Sequence, residues 1–337
     1  MAGNKLISGY IKKDHYLDQD SIFLSYKDKK KIFEVRISPF FGSNIYKFAY
    51  NDQDIFLCDY KLLKKRDWTG CFILWPFPNR IRDKKFEFEG EIYSLEGIKR
   101  KSGNYSLIHG LVDDQIWQIG EIKKNNRSIR ASTFIDVKPG TKTYTYFPFE
   151  SRLTLTFVLE SSGLKITYTV ENRTAKNMPF GFALHPYFSL LSGKNNAFIR
   201  LPAKSIMEAD KELLPTGKLI DVKTTNFNLN NPIPLSKLSL DHVFTNLNRS
   251  KMPYIDYTDK KLRIYLESSK DFTHAVLYTK EKSSFCFENQ TGATDMINLH
   301  TKGIKDYDRA LQKAAHLLIL SPGNQHTGYV YYRIKEY

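Results

Sequence analysis

The chain has 337 residues, 41% of them hydrophobic and 14% aromatic, so it can bury a large core and has the length of one big domain or two ordinary ones. A formal charge of +15 raises nucleic-acid, membrane and phosphate readings. The basic residues, however, fall in short clusters such as "KDKKK" at 27–31 and "KLLKKR" at 61–66, broken by acids and strand-like patterns, so the expectation is a soluble surface with no nucleic-acid or membrane partner. The cysteines Cys58, Cys71 and Cys286 are odd in number and widely spaced, which reads as free thiols. The N-terminus lacks the basic start and apolar stretch of a secretory leader, and nowhere do eighteen apolar residues run together, so a cytoplasmic protein is expected.

Period-two alternation dominates the chain, the mark of half-buried strands. Strands are expected around 22–37, then a hairpin in "KKFEFEGEIYSL" turning near Gly90. "SRLTLTFVLESSGLKITYTVEN" is the clearest hairpin: Leu153, Leu155, Phe157 and Leu159 form one face, Ser-Ser-Gly turns the chain, and Leu164, Ile166, Tyr168 and Val170 form the matching face. Further strands are expected at 262–267, 274–279 and 328–334, and one helix at 306–315, "DYDRALQKAA", with an acidic first turn. No repeat of 20–50 residues and no Pro/Gly/Ser linker divides the chain. The pattern predicts an all-β fold, a large antiparallel β-sandwich with few short helices and a single domain over 1–337, whose concave sheet face can carry a ligand cleft.

Four polar residues stand in apolar or turn-rich contexts: Arg80 in "WPFPNRI", His109 in "LIHGLV", His185 in "ALHPYF" and Glu288 in "FCFENQTGATD". A carboxylate among Phe285, Cys286 and Phe287 loses hydration if buried, which raises its pKa and makes it a better base when ionised; equally, a Glu closing an apolar strand can point to water. His109 before glycine and His185 before proline suit fixed imidazoles, although either can be a satisfied core histidine. Tyr187 and Phe188 could pack on the C–H face of a sugar, or simply fill the core. Two histidines and a carboxylate also spell an iron triad, but no His-x-Asp/Glu pair adjoins His109 or His185, and no zinc-type His-Glu-x-x-His, P-loop, dinucleotide fingerprint or nucleophile elbow occurs. No metal and no cofactor is expected.

In order, "NRI" from Asn79 followed by "KKFEFEGEIYSL", "IHGLVDDQIW", "NRTAKNMPFGFALHPYFSL", "LLPTGK", "LDHVF", "FENQTGATDMINL" and "LSPGNQ" resemble the motifs of the aldose 1-epimerase, or galactose mutarotase, family. The resemblance covers roughly 70–335 and implies the mutarotase-like supersandwich, a cofactor-free site on an open sheet face, and interconversion of the α and β anomers of an aldose by a monomer or homodimer. Carried over by position, it implies Glu288 as general base, His185 as general acid, and His109, Arg80, Asp241, Asn79 and Tyr187 as sugar-binding residues. Pro186 departs from the family by standing where many galactose-type members have serine. Two rivals accompany this reading: a mutarotase for hexose 6-phosphates, suggested by Arg82 and Lys84, and a non-catalytic sugar-binding protein on the same scaffold.

Overall fold

The computed structural model describes residues 5–98 and 106–337. Two antiparallel sheets dominate it. The first runs, edge to edge, through Leu6–Lys13, Asp20–Lys27, Ile32–Ser38, Asn44–Tyr50, Cys71–Leu74, Ala183–Ser189, Ser284–Gln290, His274–Tyr278, Asp241–Leu247, Ala203–Ala209 and Pro215–Asp221, with Gln53–Asp54 as a short twelfth strand beside Asn44–Tyr50. The second has nine strands and is built on Ser151–Glu160, Gly163–Asn172 and the long Gln325–Glu336. This is the antiparallel sandwich that the alternation predicts.

The strongest hairpin keeps the predicted register. Leu153 pairs with Val170, Leu155 with Tyr168, Phe157 with Ile166 and Leu159 with Leu164, and all eight side chains are buried. A one-residue slip would turn the whole apolar set to water, so burial itself fixes the pairing. The 22–37 stretch resolves into two paired strands, Asp20–Lys27 and Ile32–Ser38, separated by the charged turn. Lys85–Phe88 and Glu91–Ser94 form the hairpin around Gly90. A continuous hydrophobic cluster joins the facing sides of both sheets, with Phe56, Phe188, Phe285 and Tyr332 at its centre. Phe188 is therefore a core residue, whereas its neighbour Tyr187 emerges on the opposite face.

The predicted helix at 306–315 starts later than expected, as Arg309–Ala315. Asp308 is its cap, accepting from the Leu311 amide at 3.0 Å, while Asp306 ends a preceding ten-residue helix, Met296–Lys305, that the alternation does not reveal. Among the described residues no helix is long and apolar enough to cross a membrane.

Candidate active site

The middle of the larger sheet carries the site. Ala183–Ser189 lies between Cys71–Leu74 and Ser284–Gln290, and the register that pairs Leu184 with Asn289 and Tyr187 with Cys286 sets His185 opposite Glu288. Because alternate side chains leave a strand on opposite faces, Leu184 and Phe188 enter the core while His185 and Tyr187 face outward into a cleft. Likewise Phe285 and Phe287 enter the core while Glu288 faces the cleft. His185 Nε2 lies 3.2 Å from Glu288 Oε1, with both side chains almost fully buried at the cleft floor.

Burial dominates the electrostatics of this pair. Desolvation pushes the Glu288 carboxyl up to about 8, with Asp241 adding to the rise and the Gln290 amide and Arg80 opposing it. Desolvation pushes the His185 imidazole down to about 3. Both shifts favour the uncharged form of each group, and the two groups lie 3.2 Å apart. The second carboxyl oxygen, Oε2, accepts from the Gln290 side-chain amide at 3.0 Å.

The walls come from distant parts of the sequence. Asn79 and Arg80 enter at the start of the short strand Arg80–Arg82, which pairs with Ser106–Ile108. His109 follows directly, with its own backbone left-handed at φ 70° and its amide donating to the Asn79 carbonyl at 2.8 Å. Gly110 also has positive φ, and a Cβ there would come within 2.4 Å of the Trp75 carbonyl oxygen; only glycine lets this turn lie so close to the Trp75 backbone. The turn sets the His109 ring edge-on to His185 at 4.9 Å and to Trp68 at 4.7 Å. Phe72 stacks on His185 at 4.4 Å and on Trp68 at 6.1 Å, and Tyr187 lies 5.2 Å from His185.

Asp241 opens its strand and pairs with Tyr278, so it occupies the cleft rim instead of capping a turn. Arg80 donates to Asn79 Oδ1 at 3.2 Å; burial lowers its pKa, and the nearby carboxyls of Asp241 and Glu288 offset part of that.

All seven residues singled out in the sequence, Asn79, Arg80, His109, His185, Tyr187, Asp241 and Glu288, line one open hollow of about 330 Å³, within the range of small-molecule sites. His185 and Glu288 touch on the floor of that hollow. Sequence reasoning missed Trp68 and Tyr278, which also line it, and Gln290, which holds Glu288 from within the sheet. The alternation of "FCFENQ" places Glu288 and Gln290 on one strand face and could have signalled the last of these. Among the described residues no group of three or more His, Cys, Asp or Glu is arranged to hold a metal ion.

An aromatic platform beside polar groups that can exchange a proton is a site that can bind a sugar ring and act on its acidic hydroxyl. The aldose 1-epimerase family model matches residues 26–317. Among curated relatives, the uncharacterized protein YihR of Escherichia coli is 26% identical over 212 residues, 62% of this chain and 65% of that one, and the galactose mutarotase of Homo sapiens is 25% identical over 52% of this chain and 49% of that one. The aligned part thus spans less than two thirds of either relative. Among solved structures, a galactose mutarotase-like protein from Clostridium acetobutylicum superposes with a TM-score of 0.83 at 21% identity, covering 97% of this chain and 99% of that one. A galactose 1-epimerase from Lactobacillus acidophilus superposes with a TM-score of 0.73 at 16% identity, covering 99% of each chain. On the match across residues 26–317, the chain belongs to the aldose 1-epimerase family.

Proposed function

We propose that the protein is an aldose 1-epimerase that interconverts the α and β anomers of an aldose, with Glu288 as general base and His185 as general acid. The observation that carries this reading is the 3.2 Å contact between His185 Nε2 and Glu288 Oε1 on the floor of an open, aromatic-walled hollow.

Ring opening removes the proton from O1 and delivers one to the ring oxygen, and both oxygens are bonded to C1. Two proton-exchanging groups side by side can therefore serve both atoms from one face of the sugar, which makes the adjacent arrangement competent. The buried pair holds one transferable proton, resting on Glu288. Its passage to His185 leaves a carboxylate that accepts from O1–H and an imidazolium that donates to the ring oxygen. The C1–O5 bond breaks as the C1=O1 bond forms, rotation about C1–C2 presents the other carbonyl face, and ring closure returns the protons. Arg80, whose charge favours an ionised Glu288, supports the carboxylate form during the first step. Asp241 accepts from sugar hydroxyls, Asn79 and His109 hydrogen-bond others, and the Trp68, Phe72 and Tyr187 rings offer flat surfaces for the C–H face. General acid and base terms supply roughly 10²–10⁴-fold each, enough to matter for a reaction that water already carries.

The test is anomer exchange of freshly dissolved α-D-glucose and α-D-galactose, followed by polarimetry or NMR, with Glu288→Gln and His185→Asn beside the wild type. Loss of at least 10²-fold in each variant is expected. Wild-type rates in both would remove the mechanism.

A further inference from the structure

A hollow of about 540 Å³ lies on the other side of the larger sheet from the acid–base cleft. The larger sheet gives its wall Leu247, Ala275, Phe287 and Asn289, and the smaller sheet gives Leu266 and Tyr329. Strand alternation sets this up: Phe287 and Asn289 flank Glu288, so when Glu288 faces the cleft its two neighbours face the interior. Pro202, Met252 and Pro253 extend the apolar wall outward, and the volume lies within the range of small-molecule sites.

Asn289 is the polar exception on that interior face. It pairs with Leu184 and Ala275, whose side chains belong to the hydrophobic core. It is 2% exposed, and its side-chain oxygen has no hydrogen-bond partner among the described residues. Leaving a buried carbonyl oxygen without a donor is costly, and folded proteins rarely do so. A hydroxyl or N–H brought in through the hollow would supply the missing donor.

The mouth of the hollow is cationic. Arg249, Lys251 and Lys270 line it. Arg249 is fixed at the rim by donating to the Ser268 hydroxyl and to the Lys270 and Phe272 carbonyls, all uncharged acceptors. The neighbouring carboxylates are engaged elsewhere: Glu267 holds Arg333 at 2.7 Å and accepts from the Tyr329 hydroxyl at 3.1 Å, while Asp271 is bonded to Tyr168, Ser269 and His326. Three positive charges at an apolar opening favour an anion, and Glu267, still at the rim, makes a singly charged head group a better fit than a dianion.

We propose that this hollow is a second small-molecule site, built for an amphipathic carboxylate: an apolar, ring-sized body whose hydroxyl or N–H donates to Asn289 Oδ1 at the inner end, and whose carboxylate rests among Arg249, Lys251 and Lys270 at the mouth. Its occupation requires neither Glu288 nor His185.

The experiment is calorimetric titration of the full chain with three matched probes: p-hydroxyphenylpropionate, phenylpropionate, which lacks the donor, and p-hydroxyphenylpropionamide, which lacks the charge. The hydroxylated acid is expected to bind with a Kd of about 1 mM or tighter, and each of the other two at least about fivefold more weakly. Charge reversal in Lys251→Glu/Lys270→Glu, where both side chains are exposed, should weaken both acids at least about fivefold and leave the amide unchanged. Asn289→Leu should abolish the preference for the hydroxylated acid over the plain one. No binding of either acid, acid binding untouched by the charge reversal, or a hydroxyl preference that survives Asn289→Leu would overturn the proposal. If Asn289→Leu does not fold, the wild type decides the inner end: equal affinity for the two acids overturns it.

Discussion

Gln290 donates its side-chain amide to Glu288 Oε2 at 3.0 Å, two residues along the same strand and on the same sheet face. The bond occupies one carboxyl oxygen and leaves Oε1 to His185 and to an incoming hydroxyl. It also opposes the desolvation that raises the Glu288 pKa. Gln290→Met keeps the volume and removes the donor. The descending limb of kcat/KM against pH, where the pair loses its one proton, should then move to higher pH, and kcat at pH 7 should fall roughly tenfold for each unit of that move, because the more tightly held proton passes less readily to His185, with KM little changed. Gln290→His, which can still donate, should recover part of the loss. A pH profile superposable on wild type for Gln290→Met would count against the role.

The pKa of Glu288 also has a consequence for stability. Its carboxyl is raised from the ordinary 4.5 to about 8 in the folded protein, so between those values the unfolded chain has released a proton that the folded chain still holds. Linkage then makes this group's contribution fully present below about 4.5 and progressively lost as pH rises through about 8. His185, lowered from 6.5 to about 3, works in the opposite sense: its contribution is present above 6.5 and lost as pH falls toward 3. Glu288→Gln, which cannot ionise, should therefore gain thermal stability over the wild type as pH rises from 5 to 8, by at least about 2–4 °C, the shift that about 1 kcal/mol produces in a large domain. Paired melting curves at the two pH values measure it, and a constant difference would contradict the assigned shift.

Gly110→Ala should be costly. Its φ is 68° and a methyl group would meet the Trp75 carbonyl, so a loss of roughly 2–4 kcal/mol is expected from strain and displacement together. Urea denaturation reads the loss. Because the same turn carries His109, any folded fraction should also show a raised KM.

Trp68 gives the cleft a flat ring, half-buried and edge-on to His109 at 4.7 Å. An aromatic contact is worth about 1 kcal/mol beyond buried area, so Trp68→Ala should raise KM roughly five- to tenfold with kcat changed less than twofold. Steady-state kinetics with a sugar that the wild type turns over checks this, and a fall confined to kcat would assign the ring a different task.

How legible these features were in the sequence depended on which faces of each element are buried. Ser151–Glu160 and Gly163–Asn172 alternate between buried and half-buried positions, so their pairing could be read directly. Ser284–Gln290 is buried at every position, because one face meets the core and the other lies under the cleft; an unbroken run hides which side Glu288 takes, and family motifs had to supply it. Trp68 comes from the loop between Tyr60–Lys64 and Cys71–Leu74, where nothing local marks it as a ligand contact. The Met296–Lys305 helix buries Met296, Ile297, Leu299 and Gly303, an apolar stripe too brief to stand out by period, and it was missed.

The strand that bears Glu288 has its neighbour Phe287 wedged among the inter-sheet side chains, so the reactive carboxyl is one pleat away from tightly filled hydrocarbon. Since such interiors transmit small displacements instead of absorbing them, methyl-sized exchanges deep behind the cleft could retune proton transfer while every residue touching the sugar stays the same. Drift in the hidden layer is thus a route by which descendants of this scaffold could change their working pH.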